Sequence, residues 1–349
     1  MKNFKISISY ASWGTNYYNN LLLSLKTIFS DLILLESNFK HEIYLDLYVD
    51  ISSKNKLFKN DFFNEITNLF SKVNFFSIDE IIKNNNKNNI RINLVQQTIL
   101  KNSQNYDFLG LFYPDFLFSK NTLINHIREI EKGSELILSP VICINHEHVN
   151  EDIINILNNE NSLIHEKFSK IIINNIHNIQ KYFIFNRDEN KFPLSPAWLA
   201  IKTKKGNLYF RCFHNTPIFF KTSSINTKKL FIEKAIDEDF IEVIYRNINE
   251  NNIYFSSKSS LSLIASTKSI NDPPNDEIVK KLQGDFSKAS EWVLNNVNDF
   301  HKLSSKYGYL LEINGKEDIT GEKKFLDKII SKLLTKKFYT KIKSYFKFN

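Results

Sequence analysis

One carboxylate in this chain sits where a fold of the right kind would use it for chemistry. The stretch Tyr106-Asp-Phe-Leu-Gly-Leu-Phe-Tyr-Pro-Asp115-Phe-Leu-Phe-Ser119 reads as an apolar strand that delivers Asp115 at or near its end. Its neighbours have no folding need for that charge. In an α/β protein such an acid points into a ligand crevice, because these sheets bind at the carboxyl ends of their strands. A second candidate is the turn Tyr10-Ala11-Ser12-Trp13-Gly14, followed by Tyr17-Tyr18. A nucleotide base stacks on Tyr or Trp while Ser and backbone groups bond to its edge; the same residues would also serve as a helix-capping turn with Trp13 in the core. Read together, the two suggest a sugar-nucleotide and metal site. A third is Asp237-Glu238-Asp239 at the start of a short helix. Acids there stabilise a helix by ~0.3–1 kcal/mol each through its dipole, but three in a row exceed what capping needs. One of them could serve as a general base, Asp237 or Asp239 first. His146 and His148 are spaced to share a metal on a strand, yet no third ligand lies in reach, and the pair reads as a solvated loop.

The elements that would position these groups alternate. Lys5–Tyr10, Glu42–Val49, Lys72–Ile78, the strand before Asp115 and Leu136–Ile144 read as strands. Helical spacing of apolar residues separates them over Tyr17–Ser30, Asp61–Phe70, Ile90–Asn102 and Asn121–Lys132. Gly133 follows the last of these as a helix stop. Such alternation argues for a mostly parallel sheet covered by helices. Residues 150–185 read as helical, Trp198–Thr203, Leu208–Phe213, Pro217–Lys221 and Ile253–Ser256 as strands. Asn271-Asp-Pro-Pro-Asn275 is the clearest boundary, with helices expected beyond it.

At 349 residues, with 42% hydrophobic and 24% charged side chains, the chain has room for a large core and an appended segment. It contains no GxGxxG, no P-loop, no GxSxG elbow and no HExxH, which removes the common dehydrogenase, ATPase, hydrolase and zincin readings. The two cysteines, Cys143 and Cys212, lack CxxC spacing and read as reduced core thiols rather than a disulfide framework. No window is apolar enough to span a bilayer. The net charge of +8 concentrates near the end of the chain, where lysines 323, 324, 328, 332, 336, 337, 341, 343 and 347 face only Glu322 and Asp327. Phe325, Leu326, Ile329, Ile330, Leu333, Leu334, Phe338, Ile342 and Phe346 fall on one face of that helix. The pattern fits either an interfacial membrane helix or a terminal helix docked on the protein with a lysine-rich outer face. Lysines gathered on one helix rather than along a groove speak against nucleic acid as the partner.

Four stretches, Tyr-Ala-Ser-Trp-Gly-Thr-Asn-Tyr-Tyr (10–18), Tyr-Pro-Asp-Phe-Leu-Phe-Ser (113–119), Pro-Ala-Trp (196–198) with Phe-His-Asn-Thr-Pro (213–217), and Ile-Asp-Glu-Asp-Phe (236–240), make residues about 4–320 resemble a bacterial family of GT-A-type glycosyltransferase-like proteins. The resemblance implies an α/β, GT-A-like (Rossmann-like) fold. A nucleotide-sugar and acceptor domain would span residues 1–270, and a helical C-terminal extension 271–349. It implies transfer of a sugar from a nucleotide-sugar donor to an acceptor hydroxyl in surface-glycan synthesis, such as lipopolysaccharide or capsule. A non-catalytic scaffold of a polysaccharide assembly complex is the alternative. It further implies that Tyr10–Gly14 and Asp115 hold the nucleotide, and that a divalent metal (Mn or Mg) is held by Asp115 and His214. The expected location is cytoplasmic, peripheral at the inner face of the membrane through the C-terminal helix, near a glycan or lipid-linked acceptor. The chain departs from the family in one respect. Phe116-Leu117 follow Asp115, so the second acid of a DxD is missing.

Overall fold

A computed structural model describes residues 3–185, 191–225, 247–256, 262–269 and 276–335. The chain divides into two compact units that do not follow chain order. The first takes Met1–Ser139, Ile153–Ile164 and Thr216–Ser266; the second takes Pro140–Asp152, His165–Asn215 and Thr267–Asn349.

The first unit is built on a seven-stranded sheet. Its early strands are β1 (Lys5–Ser12), β2 (Glu42–Val49), β3 (Lys72–Ser77), β4 (Phe108–Phe112), the short β5 (Phe116–Phe118) and β6 (Leu136–Ser139). Val141–Asn145 forms β7, Phe192–Pro193 β8, Trp198–Lys202 β9 and Leu208–Cys212 β10; Thr216–Lys221 is β11, Ile253–Phe255 β12 and Ile264–Lys268 β13. The sheet order is β12-β6-β11-β4-β1-β2-β3. All of its neighbours run parallel except β11, which is antiparallel to both β4 and β6. The expected α/β fold with a mostly parallel, helix-covered sheet is therefore present. β4 is buried along its whole length, as a strand covered on both faces should be.

The order reverses at β1. The chain goes from β1 to β2 and β3 on one side, then returns to place β4 on the other. Right-handed crossovers that leave a strand in opposite directions put their helices on opposite faces. Accordingly α1 (Thr15–Asn38) receives the Tyr10 side of β1, where the Tyr10 hydroxyl lies 3.0 Å from Ser24 Oγ. Three short helices follow β2 and β3: α2 (Ile51–Leu57), α3 (Asp61–Thr67) and α4 (Asp79–Asn84). The next helix, α5 (Asn88–Asn102), covers the other face, and its Asn102 side chain donates to the Tyr48 hydroxyl at 3.1 Å. The last helix of this part is α6 (Thr122–Glu131). Two buried ionisable groups fix it. Asp31 of α1 accepts from the amides of Asn121 and Leu123, both at 2.9 Å, at the start of α6. His126 is fully buried with Nε2 3.2 Å from Ser256 Oγ.

The expected strand Leu136–Ile144 is two strands, because Pro140 lacks the amide that would continue the ladder. His146 and His148 begin the helix His146–Glu160 and are not on a strand or a loop. The segment beyond residue 275 is not wholly helical. Within the second unit Gln283–Gly284 (β14) pairs with β8, and Gly308–Leu311 (β15) joins β10 and β9 in an antiparallel sheet. Pattern reading overlooks β13, β14 and β15. Residues 271–275 lie outside the described residues. Cys143 and Cys212 are both free thiols, and burial pushes the Cys212 pKa up, as for an inert core residue.

The terminal helix Thr320–Leu333 belongs to the second unit. Its Leu326, Ile329, Ile330 and Leu333 are buried in one apolar cluster with Leu199, Ile201, Tyr209, Phe213 and Val293. Lys323, Lys324, Lys328 and Lys332 stay exposed. Over these residues the apolar face is turned inward. Among the described residues no helix is long and apolar enough to cross a membrane.

Candidate functional site

The reversal at β1 leaves a crevice beyond the carboxyl ends of β1 and β4, the position where open α/β sheets take ligands. A pocket open to solvent lies there. The end of β1 contributes Ala11 and Trp13, and the start of α1 Tyr17. One face of α5 contributes Ile92, Gln96 and Ile99, while β4 and the turn after it supply Leu111 through Asp115. Every one of these residues belongs to the first unit.

Asp115 reaches the pocket through a turn. The amide of Phe116 donates to the carbonyl of Tyr113 at 3.0 Å, so Tyr113-Pro114-Asp115-Phe116 closes a β-turn. Pro114 holds the second position, where its fixed φ is favoured. The chain then continues as β5, which pairs antiparallel with β13 in the register Ser266 to Phe116, Ala265 to Leu117 and Ile264 to Phe118. That register brings Ser266 beside Asp115, and its hydroxyl donates to Asp115 Oδ2 at 2.6 Å. Asp115 is half-buried, and among the described residues it is the only charged side chain on the pocket wall.

The walls are aromatic and amide. The rings of Trp13 and Tyr17 lie 6.2 Å apart at 36°, and Tyr17 is 47% exposed at the mouth. Gln96 is buried and donates from Nε2 to the Tyr113 hydroxyl at 2.9 Å, which fixes that ring. Gly14 caps α1 with φ at 80°, a left-handed value natural to glycine. Its amide donates to Asp50 Oδ2 at 3.1 Å, which ties the turn to the start of α2. Burial raises the Asp50 pKa. The Ser53 hydroxyl and amide and the Gly14 amide outweigh that and hold it below the ordinary carboxylate value. The helix α1 opens at the pocket, and a helix N-terminus favours negative charge.

Of the residues expected at the site, the structure brings together Ala11, Trp13 and Asp115, with Gly14 in the adjoining turn. Tyr10 and Ser12 face the other way. Side chains alternate along a strand, so those two share the buried α1 face, where Tyr10 packs edge-on against Phe112 at 5.6 Å. His214 lies in the second unit, its ring 4.4 Å from that of His301 and 5.7 Å from Trp292. Asp237, Glu238 and Asp239 lie outside the described residues.

A divalent cation fits this pocket in one limited sense. Asp115 supplies one hard oxygen ligand of the kind Mg²⁺ and Mn²⁺ prefer, and Mg²⁺ commonly uses one or two carboxylates together with water and substrate phosphates. Among the described residues no cluster of three or more His, Cys, Asp or Glu is placed to hold a metal. Among the described residues the pocket wall has no Lys, Arg or His to neutralise an anion.

Sequence reading misses α5's contribution and Ser266. The adjacent Gln96-Gln97 pair on an otherwise apolar helix face was the available signal, since both amides are buried. Ser266 carries no signal, because its partner is 151 residues away.

No family model matches this sequence, and no curated protein does. Among solved structures the chain is similar to S. aureus TarS at 14% identity and a TM-score of 0.35, over 85% of this chain and 41% of that one. It is also similar to S. aureus TarS 1-349 at 14% identity and a TM-score of 0.36, over 85% of this chain and 68% of that one. A third likeness is to mouse xyloside xylosyltransferase 1 in its apo form, at 9% identity and a TM-score of 0.29, over 39% of this chain and 52% of that one. The chain thus spans about two fifths of the first of these. Identities and scores this low leave the reading of the site to its own geometry.

Proposed function

We propose that this protein is a glycosyltransferase of GT-A type, moving a sugar from a nucleotide-sugar donor to an acceptor hydroxyl in bacterial surface-glycan synthesis, such as lipopolysaccharide or capsule. The observation that carries the reading is the pocket at the strand-order reversal, walled by Trp13, Tyr17 and Tyr113 and bearing Asp115 as its one charge among the described residues. The base of the donor would lie against the aromatic walls, and its diphosphate would lie toward Asp115. Asp115 would hold Mg²⁺ or Mn²⁺, which would supply the positive charge that a diphosphate leaving group needs; His214, the other expected ligand, belongs to the second unit. The protein's own part is to exclude water from the apolar floor at Ile99 and Leu111, to hold the donor, and to offer the α1 N-terminus to its negative charge. The acceptor's proton would pass to a carboxylate of Asp237, Glu238 or Asp239. The C-terminal lysines would hold the protein to the inner face of the cytoplasmic membrane, near a glycan or lipid-linked acceptor.

The test is a thermal-shift screen of nucleoside diphosphates and nucleotide sugars with Mg²⁺ or Mn²⁺, followed by turnover of the donor that shifts the protein. Asp115→Ala should abolish turnover and leave the melting temperature close to that of the wild type. Wild-type turnover in that variant would refute the assignment. The absence of a second acid beside Asp115 favours one other reading, a non-catalytic scaffold with this fold. A protein that melts unchanged with every nucleotide would be that scaffold.

A further inference from the structure

The pocket's Asp115 is met by a hydroxyl from a segment far away in sequence. β13 reaches it from a distant part of the sequence, and three features of the first unit make that contact rigid. The ladder between β5 and β13 fixes Ser266 opposite Phe116. At the far end of the ladder the two segments lock together again. The amide of Ser119 donates to the Leu263 carbonyl at 2.9 Å, and the amide of Leu263 donates to Ser119 Oγ at 3.0 Å. Ser119 Oγ in turn lies 2.9 Å from Thr122 Oγ1 at the start of α6. The hydroxyl of Ser266, a residue 4% exposed, then donates to Asp115 Oδ2 at 2.6 Å. A hydroxyl bonded to a carboxylate is a charge-assisted contact, short and strongly directional.

We propose that Ser266 is a positioning residue for ligand binding in this pocket: its hydroxyl occupies Asp115 Oδ2 and fixes the carboxylate plane, so that the acid meets the bound diphosphate and its cation in one orientation. The proposal rests on the donor-binding reading of the pocket given above. It explains how a site with Phe116-Leu117 in place of a second acid keeps its single carboxylate aligned. A carboxylate at the third position of a turn swings about two side-chain torsions. One hydrogen bond from a buried strand removes that freedom before the ligand arrives, which is where outer partners of a ligating group exert their effect. Ser266 acts through Asp115.

The experiment compares the full-length wild type with Ser266→Ala, Ser266→Thr and Asp115→Asn. Calorimetry measures the binding of UDP, GDP, CDP and ADP, each with Mn²⁺, and melting is followed in parallel. The expected result is one nucleotide that binds the wild type and fails to bind Asp115→Asn. Ser266→Ala should weaken that nucleotide about ten- to a hundred-fold. Ser266→Thr, which keeps the hydroxyl, should return the affinity to within about threefold, and all variants should melt close to the wild type. If the Ala and Thr variants weaken binding equally, or if affinity falls only in step with melting temperature, the serine has a packing role and the proposal is wrong. Ser266→Ala binding as tightly as the wild type, while Asp115→Asn does not bind, overturns the positioning role and leaves the pocket reading intact. A wild type that binds none of the four overturns both.

Discussion

At the scale of single residues, the pocket is set by which way each side chain points. Tyr10, Ala11, Ser12 and Trp13 are consecutive, yet only Ala11 and Trp13 reach the pocket. The sequence presents them as one aromatic and hydroxyl run. The period of two along a strand divides the run between two faces. Asp115 was readable because it is a lone acid at the end of an apolar strand; its partner Ser266 was not, because a side-chain contact across 151 residues leaves no local trace. A glycine beside the site gives a sharp test. Gly110 lies in β4 opposite Phe219, and a Cβ there would stand 2.6 Å from Cε1 of that ring. Gly110→Ala should therefore destabilise the protein by about 1–3 kcal/mol, the usual cost of overpacking a core. Urea titration measures it, and an unchanged midpoint would mean the ring moves aside freely.

At the scale of elements, helix ends carry the information. Asp50 caps α2 through the Ser53 amide at 2.8 Å and also holds the Gly14 turn. Asp50→Ala should cost about 1 kcal/mol in folding, and, on the reading proposed, should weaken nucleotide binding as the turn loosens. Because its folded pKa is depressed, the Asp50 contribution is present above the unfolded pKa and is lost as pH falls through the folded one. Asp31 behaves in the opposite sense. Burial pushes its pKa up to about 6, against the α6 amides and Lys120, which pull it down. The folded state thus binds the proton more tightly than the unfolded one. The associated stability is full below about pH 4 and is lost as pH rises to 6. The stability of the wild type relative to Asp31→Asn should decline between pH 4 and 6 and level off above. A flat difference across that range would contradict it. His126 must be separated from this effect, since burial lowers its pKa to about 3 and costs stability as pH falls below 6.5. Only the difference between the two proteins isolates Asp31, because His126 is common to both.

At the scale of the whole molecule, charge and the terminal helix are the decisive features. Residues 321–349 hold nine lysines and two acids, so seven of the eight net positive charges are there. The apolar face of Thr320–Leu333 is used in the core of the second unit. Leu326→Ala should cost about 2–5 kcal/mol, as for a buried leucine in a packed core, and chemical denaturation would check it. This part of the helix cannot both fill that core and insert into lipid. Any membrane attraction through it is electrostatic, about 1 kcal/mol for each lysine near an anionic surface. Sedimentation with phosphatidylserine vesicles should accordingly fall steeply between low and physiological salt. Binding that resists salt would point to an inserted apolar face.

The sequence by itself determined the alternation of strands and helices, the parallel α/β class and the lysine-rich end, and it singled out Asp115 as a candidate. These depend on local periodicity and composition, which a chain carries wherever it goes. The tertiary structure decided the rest: that the strand order reverses at β1, that α5 walls the pocket with Gln96, that Ser266 meets Asp115, and that Thr320–Leu333 turns its apolar face inward. Each of those is a contact between segments far apart in sequence. Such contacts arise from the register of strands and the packing of faces, and the residues on either side hold no record of which partner they will meet.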